Sequence, residues 1–218
     1  MGGWGGPWSP TGPNRGWGES PRVRLSIKIR LGRTPHRSDS DPSRSEVWGE
    51  SVSDRLQLDR ERESRRLPSD LLNELCRHAL DVAPEECCGL LVSSGGLEAA
   101  RPVRITNIMT RMHVADPSSF PRDARHAYYM SEVEYLRALG EAETRDERVA
   151  AVYHSHFGQG CYLSRDDLAF ASHPLFPFPD ADQIVISLLD GKVEEVGLFE
   201  PSPSSPAGFS GCRLEAAS

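Results

Sequence analysis

Three residues past the middle of the chain have the types and spacing to hold a divalent metal ion. They are His154 and His156, one residue apart, and Asp167 further on. Both histidines lie in ERVAAVYHSHF (147–157), an apolar run that reads as a strand. Strand side chains alternate faces, so residues two positions apart share a face and both imidazoles point the same way. Ser164 opens SRDDLAFASHP, a helical pattern, and Asp167 follows it by three residues. That spacing predicts an N-cap serine with the carboxylate on the first helical turn. If the loop 157–163 folds back, the carboxylate meets the imidazoles. Two histidines and one carboxylate leave the fourth position of a tetrahedral zinc open, the arrangement of a catalytic site.

Zinc lowers the pKa of bound water to about 7, and hydrolysis still needs a base that takes a proton and passes it to the leaving amine. Glu85 and Glu86 stand just before CCGLL. Alternation puts them on opposite faces, so only one faces the metal. Each half of the pattern also has a bland explanation. Strand histidines often bond backbone groups, and Ser-x-x-Asp is a common helix cap. The joint pattern on a strand–loop–helix frame is far rarer by chance. Asp166 competes with Asp167 by proximity, but its offset aims it elsewhere on the helix. Cys161, in the glycine-rich loop Gly158-Gln159-Gly160-Cys161, is either a soft ligand near the metal or a buried small residue.

These residues need a frame, and the pattern supplies one from Leu67 onward. PSDLLNELCRHALDVAP places Leu71, Leu72, Leu75, Ala79 and Leu80 on one helical face, between Pro68 and Pro84. EECCGLLVSS and LEAARPVRITNI read as strands. Residues 107–125 read as loop and HAYYM as a strand. Ser131 and Glu134 predict a capping box for the amphipathic helix SEVEYLRALGEAETR. ADQIVISLLDG and KVEEVGLFE read as strands joined at Asp190-Gly191. The order is that of an α/β domain with a mixed sheet.

The flanks read differently. Residues 1–66 carry thirteen Lys/Arg and nine Asp/Glu, so a net charge of -7 leaves the remainder near -11. An acidic folded part argues against a nucleic-acid binder. Residues 22–31 (RVRLSIKIRL) alternate basic and apolar residues as a short strand would, and RTPHRSDSDPSRSE and DRERESRR read as solvated linker. Residues 1–66 are therefore expected to be a disordered or non-native basic extension, 67–200 the folded domain, and 201–218 a flexible tail. A chain starting near Leu67 is expected to fold alone. No CxxC pair joins the five cysteines, no apolar run approaches 18 residues, and the first twenty residues lack the apolar centre of a secretory signal. A cytoplasmic protein without a membrane span is expected.

With these residues set out, the sequence resembles the JAMM/MPN+ metalloproteases, also called the JAB domain. Their pattern is a glutamate on an early segment, then His-x-His, seven residues, Ser, two residues and Asp. The early segment, Pro-x-Glu followed shortly by Cys-Gly-Leu-Leu, is matched by Pro84-Glu85-Glu86-Cys87-Cys88-Gly89-Leu90-Leu91. The resemblance implies Glu86 as general base, His154, His156 and Asp167 as zinc ligands, and Ser164 as the hydroxyl that stabilises an oxyanion. It implies a mixed sheet flanked by helices in the JAMM/MPN, cytidine-deaminase-like arrangement. Phe157 and Leu163 stand where members often carry proline.

Within the family the chain is similar to short bacterial members, such as the hydrolase that releases cysteine from a ubiquitin-like sulfur-carrier protein. The loops 107–125 and 172–182 are too short for the ubiquitin-binding insertions of deubiquitinating members. The implied activity is hydrolysis after the carrier's C-terminal Gly-Gly. The alternative is a non-catalytic MPN scaffold, which typically lacks a ligand; here all are present. DNA-repair-associated relatives carry His-Asn-His-Pro-Ser-Gly, which HSHFGQG does not match.

Overall fold

A computed structural model describes residues 55–173 and 177–217. The proposed strand at 22–31 lies outside them, as does most of the expected extension. The described strands are β1 (Arg55–Gln57), β2 (Arg65–Leu67), β3 (Cys88–Ser93), β4 (Arg101–Ile105), β5 (Arg148–Phe157), β6 (Tyr162–Ser164), β7 (Asp182–Leu189), β8 (Lys192–Pro201) and β9 (Phe209–Ala216). The helices are α1 (Ser69–Val82), α2 (Met109–Ala115), α3 (Glu132–Glu143) and α4 (Arg165–Ala171). Seven strands form one sheet in the order β2-β9-β8-β7-β5-β3-β4. The pairs β5–β7 and β2–β9 are parallel and the other neighbours antiparallel. The architecture is the expected α/β one, a mixed sheet flanked by helices.

Period-two alternation divides this sheet into two cores. Leu91, Tyr153, Ile184, Ile186 and Leu198 pack under Leu71, Leu72, Leu75 and Ala79 of α1. Leu90, Val92, Ile105 and Val152 pack on the opposite side with Ala138 and Ala142 of α3. A fully buried leucine contributes about 1.5–3 kcal/mol, so the α1 stripe is a main source of stability. Gly89 shows how tightly the strands approach. A Cβ there would lie 2.4 Å from the Val103 carbonyl and 2.5 Å from the Tyr153 ring. Glycine thus lets Tyr153 lie across β3, where its hydroxyl sits 2.9 Å from His78 Nδ1. The β7–β8 turn has positive φ at Asp190 (49°) and Gly191 (72°), as a tight hairpin requires.

Several expectations are corrected. The stretch 201–218 is not a flexible tail: β9 is hydrogen-bonded between β8 and β2, with Phe209, Cys212 and Leu214 buried. Only one of its partners, β2, is distant in sequence, and its interrupted apolar pattern hid the pairing with the neighbouring β8. The end of the supposed extension is likewise folded. Leu58 is buried in a third core with Leu163, Val185 and Phe199, and Leu67 is buried beneath α1. The charges of DRERESRR find acidic partners on β8, Arg60 with Glu195 at 2.8 Å and Arg65 with Glu200 at 3.7 Å. A chain begun near Leu67 would lose β1, nearly all of β2 and the buried Leu58. Within 107–125 the structure forms α2, and HAYYM contributes only a single bridge, Asn107 to Met130. Ser131 starts α3 without a side-chain cap, because Glu134 turns instead to the Thr106 N–H (2.7 Å) and hydroxyl (2.9 Å). No helix among the described residues is long and apolar enough to cross a membrane.

Candidate metal centre

Strand β5 carries His154 and His156 on the side of the sheet away from α1, in line with Val152. Ser155 points the other way, and its hydroxyl accepts the Cys87 N–H at 2.8 Å. After Phe157 the chain reverses at Gly158, where φ is 67° and a side chain would be strained. Two bonds to β7 pin the returning loop: Gly158 N–H to the Leu188 carbonyl (2.8 Å), and the Ser187 hydroxyl to the Gln159 carbonyl (2.6 Å). The strand β6 then delivers Ser164 as N-cap of α4. The capping box forms as expected: Asp167 N–H donates to Ser164 Oγ at 3.2 Å, and Ser164 N–H to Asp167 Oδ2 at 2.8 Å.

This fold-back brings the three proposed ligands together. His154 Nε2 lies 3.2 Å from His156 Nε2, and Asp167 Oδ2 lies 3.6 Å and 3.9 Å from them respectively. Zinc bonds of about 2.0–2.1 Å in a tetrahedron set ligand atoms about 3.3 Å apart, so the observed triangle has the right size. The His156 Nδ1–H donates to the Gly160 carbonyl at 3.0 Å, which leaves Nε2 as the lone-pair nitrogen facing the cluster. Tyr128 stacks on His154 at 4.7 Å and Tyr162 packs against His156 at 4.8 Å. Sequence reasoning did not single out either tyrosine. His154 Nδ1 is buried without a hydrogen-bond partner.

The electrostatics suit a cation. Burial alone would raise the Asp167 carboxyl, but His154 and the Ser164 hydroxyl, which donates to Oδ2 at 2.6 Å, hold it well below the usual carboxylate range. Burial works against charge on His154 too, yet the Asp167 carboxylate lifts its pKa above the ordinary value. His156 falls to about 4, through burial and then through the neighbouring His154. Burial pushes Glu86 up to about 8, against the pull of His154.

Glu86, His156, Ser164 and Asp167 line one cavity of about 350 Å³. Glu86 is 4 % exposed, whereas Glu85 is solvent-exposed. The Glu86 N–H bonds the Ala124 carbonyl at 2.7 Å, and its carbonyl accepts from Asn107 at 2.9 Å. Asp166 is drawn off by an ion pair with Arg122. Cys161 sits in the third core, its thiol donating to the Val185 carbonyl at 3.3 Å. It is outside the cluster, so of its two readings the buried small residue holds.

The family of prokaryotic homologs of the JAB domain matches residues 68–196. Two proteins named CysO-cysteine peptidase, from Mycobacterium bovis and Mycobacterium tuberculosis, are each 30% identical over 122 residues. The match covers 56% of this chain and 72% of theirs. Among solved structures, a protein from Desulfitobacterium hafniense aligns over 70% of this chain and 92% of its own, with TM-score 0.49 and 18% identity. A JAB1/MPN domain protein from Archaeoglobus fulgidus aligns over 71% of this chain and 100% of its own, with TM-score 0.40 and 12% identity. On the extent of the family match and of the mycobacterial relatives, the chain belongs to the prokaryotic JAB-domain family.

Proposed function

We propose that the protein is a zinc-dependent amide hydrolase with His154, His156 and Asp167 as the metal ligands and Glu86 as the general base. The observation that carries this reading is the convergence of a correctly sized His–His–Asp triangle and a buried glutamate on one cavity. When bound, zinc supplies Lewis acidity toward water and toward a carbonyl oxygen. With a cation held by the three ligands to offset the burial that raises Glu86 to about 8, the Glu86 carboxylate takes a proton from the attacking water and delivers it to the leaving nitrogen. The hydroxyl joins the carbonyl carbon, the C–N bond breaks, and the products are a carboxylate and an amine. Ser164 holds Asp167 in place, and the same hydroxyl proton serves the developing oxyanion when it turns away from Asp167 Oδ2.

The substrate we propose is the C-terminal Gly-Gly of a ubiquitin-like sulfur-carrier protein joined to cysteine or a short peptide. Support comes from the names of the mycobacterial relatives. It comes also from glycine itself, whose bare backbone can approach a recessed metal closely. All five cysteines are free thiols, which suits a reducing cytoplasm. The test is metal analysis of the purified full chain together with cleavage of a carrier–cysteine adduct. One zinc per chain and release of free cysteine are expected. Zinc without cleavage of this adduct, or of an Ala-Ala version, would overturn the hydrolase assignment. Equal cleavage of both adducts would leave a general metallopeptidase.

A further inference from the structure

We infer that Arg55 and Arg122 form a carboxylate-binding subsite beside the proposed metal centre, so that the leaving residue is recognised by its free C-terminal carboxylate. This inference rests on the hydrolase reading above and narrows it to release of a single terminal residue. Both arginines line the same cavity as Glu86, His156 and Asp167. A volume of about 350 Å³ is near the lower end of ligand cavities, roughly 300–1,000 Å³, and suits a chain end. The chain carries a net charge of -7, yet this wall presents two guanidinium groups. The same wall carries the carboxyl groups of Glu86 and Asp167, so the guanidinium groups contribute directed donors and not a net positive field.

Each arginine is anchored to the ligand-bearing segment. β1 pairs antiparallel with β6, and the register sets Arg55 directly opposite Ser164, the N-cap of the helix that carries Asp167. The Arg55 guanidinium carbon lies 4.5 Å from the centre of the Tyr162 ring, whose ring also packs against His156. Stacking uses the flat face of a guanidinium, while its N–H donors lie in its plane, the geometry that meets a carboxylate in two parallel bonds. Arg122 is held through Nη2 by Asp166, the residue before the proposed ligand. Arg55 lies before the span matched by the family, residues 68–196, so that match assigns it no role. It also gives the folded N-terminal strand a purpose at the site.

Binding of acetyl-Gly-Gly-Ser and of its C-terminal carboxamide tests the subsite. Serine replaces cysteine so that no thiolate binds metal. Calorimetry uses the full chain carrying Glu86→Gln, which blocks turnover. The acid is expected to bind about 10–100-fold more tightly than the amide, as a charge-assisted contact of about 1.5–3 kcal/mol would produce. Adding Arg55→Gln, or separately Arg122→Gln, should bring that ratio to within about threefold, and Arg55→Lys should restore part of it. Equal affinities for acid and amide would overturn the inference, as would a ratio that survives both glutamine variants. Cleavage of the carrier–cysteine adduct by the unmutated chain is scored separately. Acid-selective binding without cleavage sinks the hydrolase reading and keeps the subsite; cleavage with no acid preference does the reverse.

Discussion

His78 and His156 lie on opposite sides of the sheet, and burial depresses both to a pKa of about 4. Their surroundings are otherwise unlike. His78, on α1, bonds the neutral Tyr153 hydroxyl and feels Arg104 and Asp81, which act in opposite directions. His156 faces a second imidazole and a carboxylate at the wall of a cavity. A perturbed histidine therefore marks a candidate site only where other ligand atoms and an opening converge on it.

The sharpest way to break this comparison is to remove ligands. Asp167→Ala or His156→Ala should reduce zinc from one per chain to near zero and abolish turnover, read by metal analysis and adduct cleavage. Full occupancy in Asp167→Ala would move the carboxylate role to another residue. Next in size is Glu86→Gln, which should retain zinc while losing about 10²–10⁴ in rate. Metal loss in that variant would mean that Glu86 is a ligand and not a base.

The other side of the comparison concerns stability. His78→Phe should leave zinc content unchanged and cost about 1–3 kcal/mol, because the buried Tyr153 hydroxyl loses its partner. Urea unfolding gives the value, and a change in metal content would show that the two sides are coupled. The smallest effect is the pH dependence. His78 binds its proton less readily when folded, since burial is the leading cause and Arg104 adds to it, while Asp81 opposes. The unfolded chain therefore takes up more protons between about pH 6.5 and 4. The stability contribution is complete above the unfolded pKa and is lost as pH falls through that window. With metal removed, the slope of stability against pH there should be shallower in His78→Phe than in the natural chain. An unchanged slope would mean that His78 does not titrate as described.

The strand–helix frame of the site was legible because its signals are local. Alternation along β5, the Ser164–Asp167 spacing and the apolar stripe of α1 each lie within a few turns of chain. The capping box expected at Ser131 failed for the complementary reason. Thr106, far off in sequence, offers Glu134 two better donors. β9 and β1 were hidden likewise: FSGCRLEA and RLQ are too short or too polar to declare themselves until β8 and β6 supply their hydrogen bonds. Isolated pairs of such strands are marginal in water.

Residue type and spacing alone thus determined which atoms could bind a metal, since imidazole and carboxylate chemistry travels with the side chain. Tertiary structure decided the size of their triangle and drew Asp166 off to Arg122. It also placed Arg55, from a segment that reads as linker, on the cavity wall. These outcomes depend on loop reversal at Gly158 and on strand pairings between distant segments. Their free energies come from partners that local pattern cannot register.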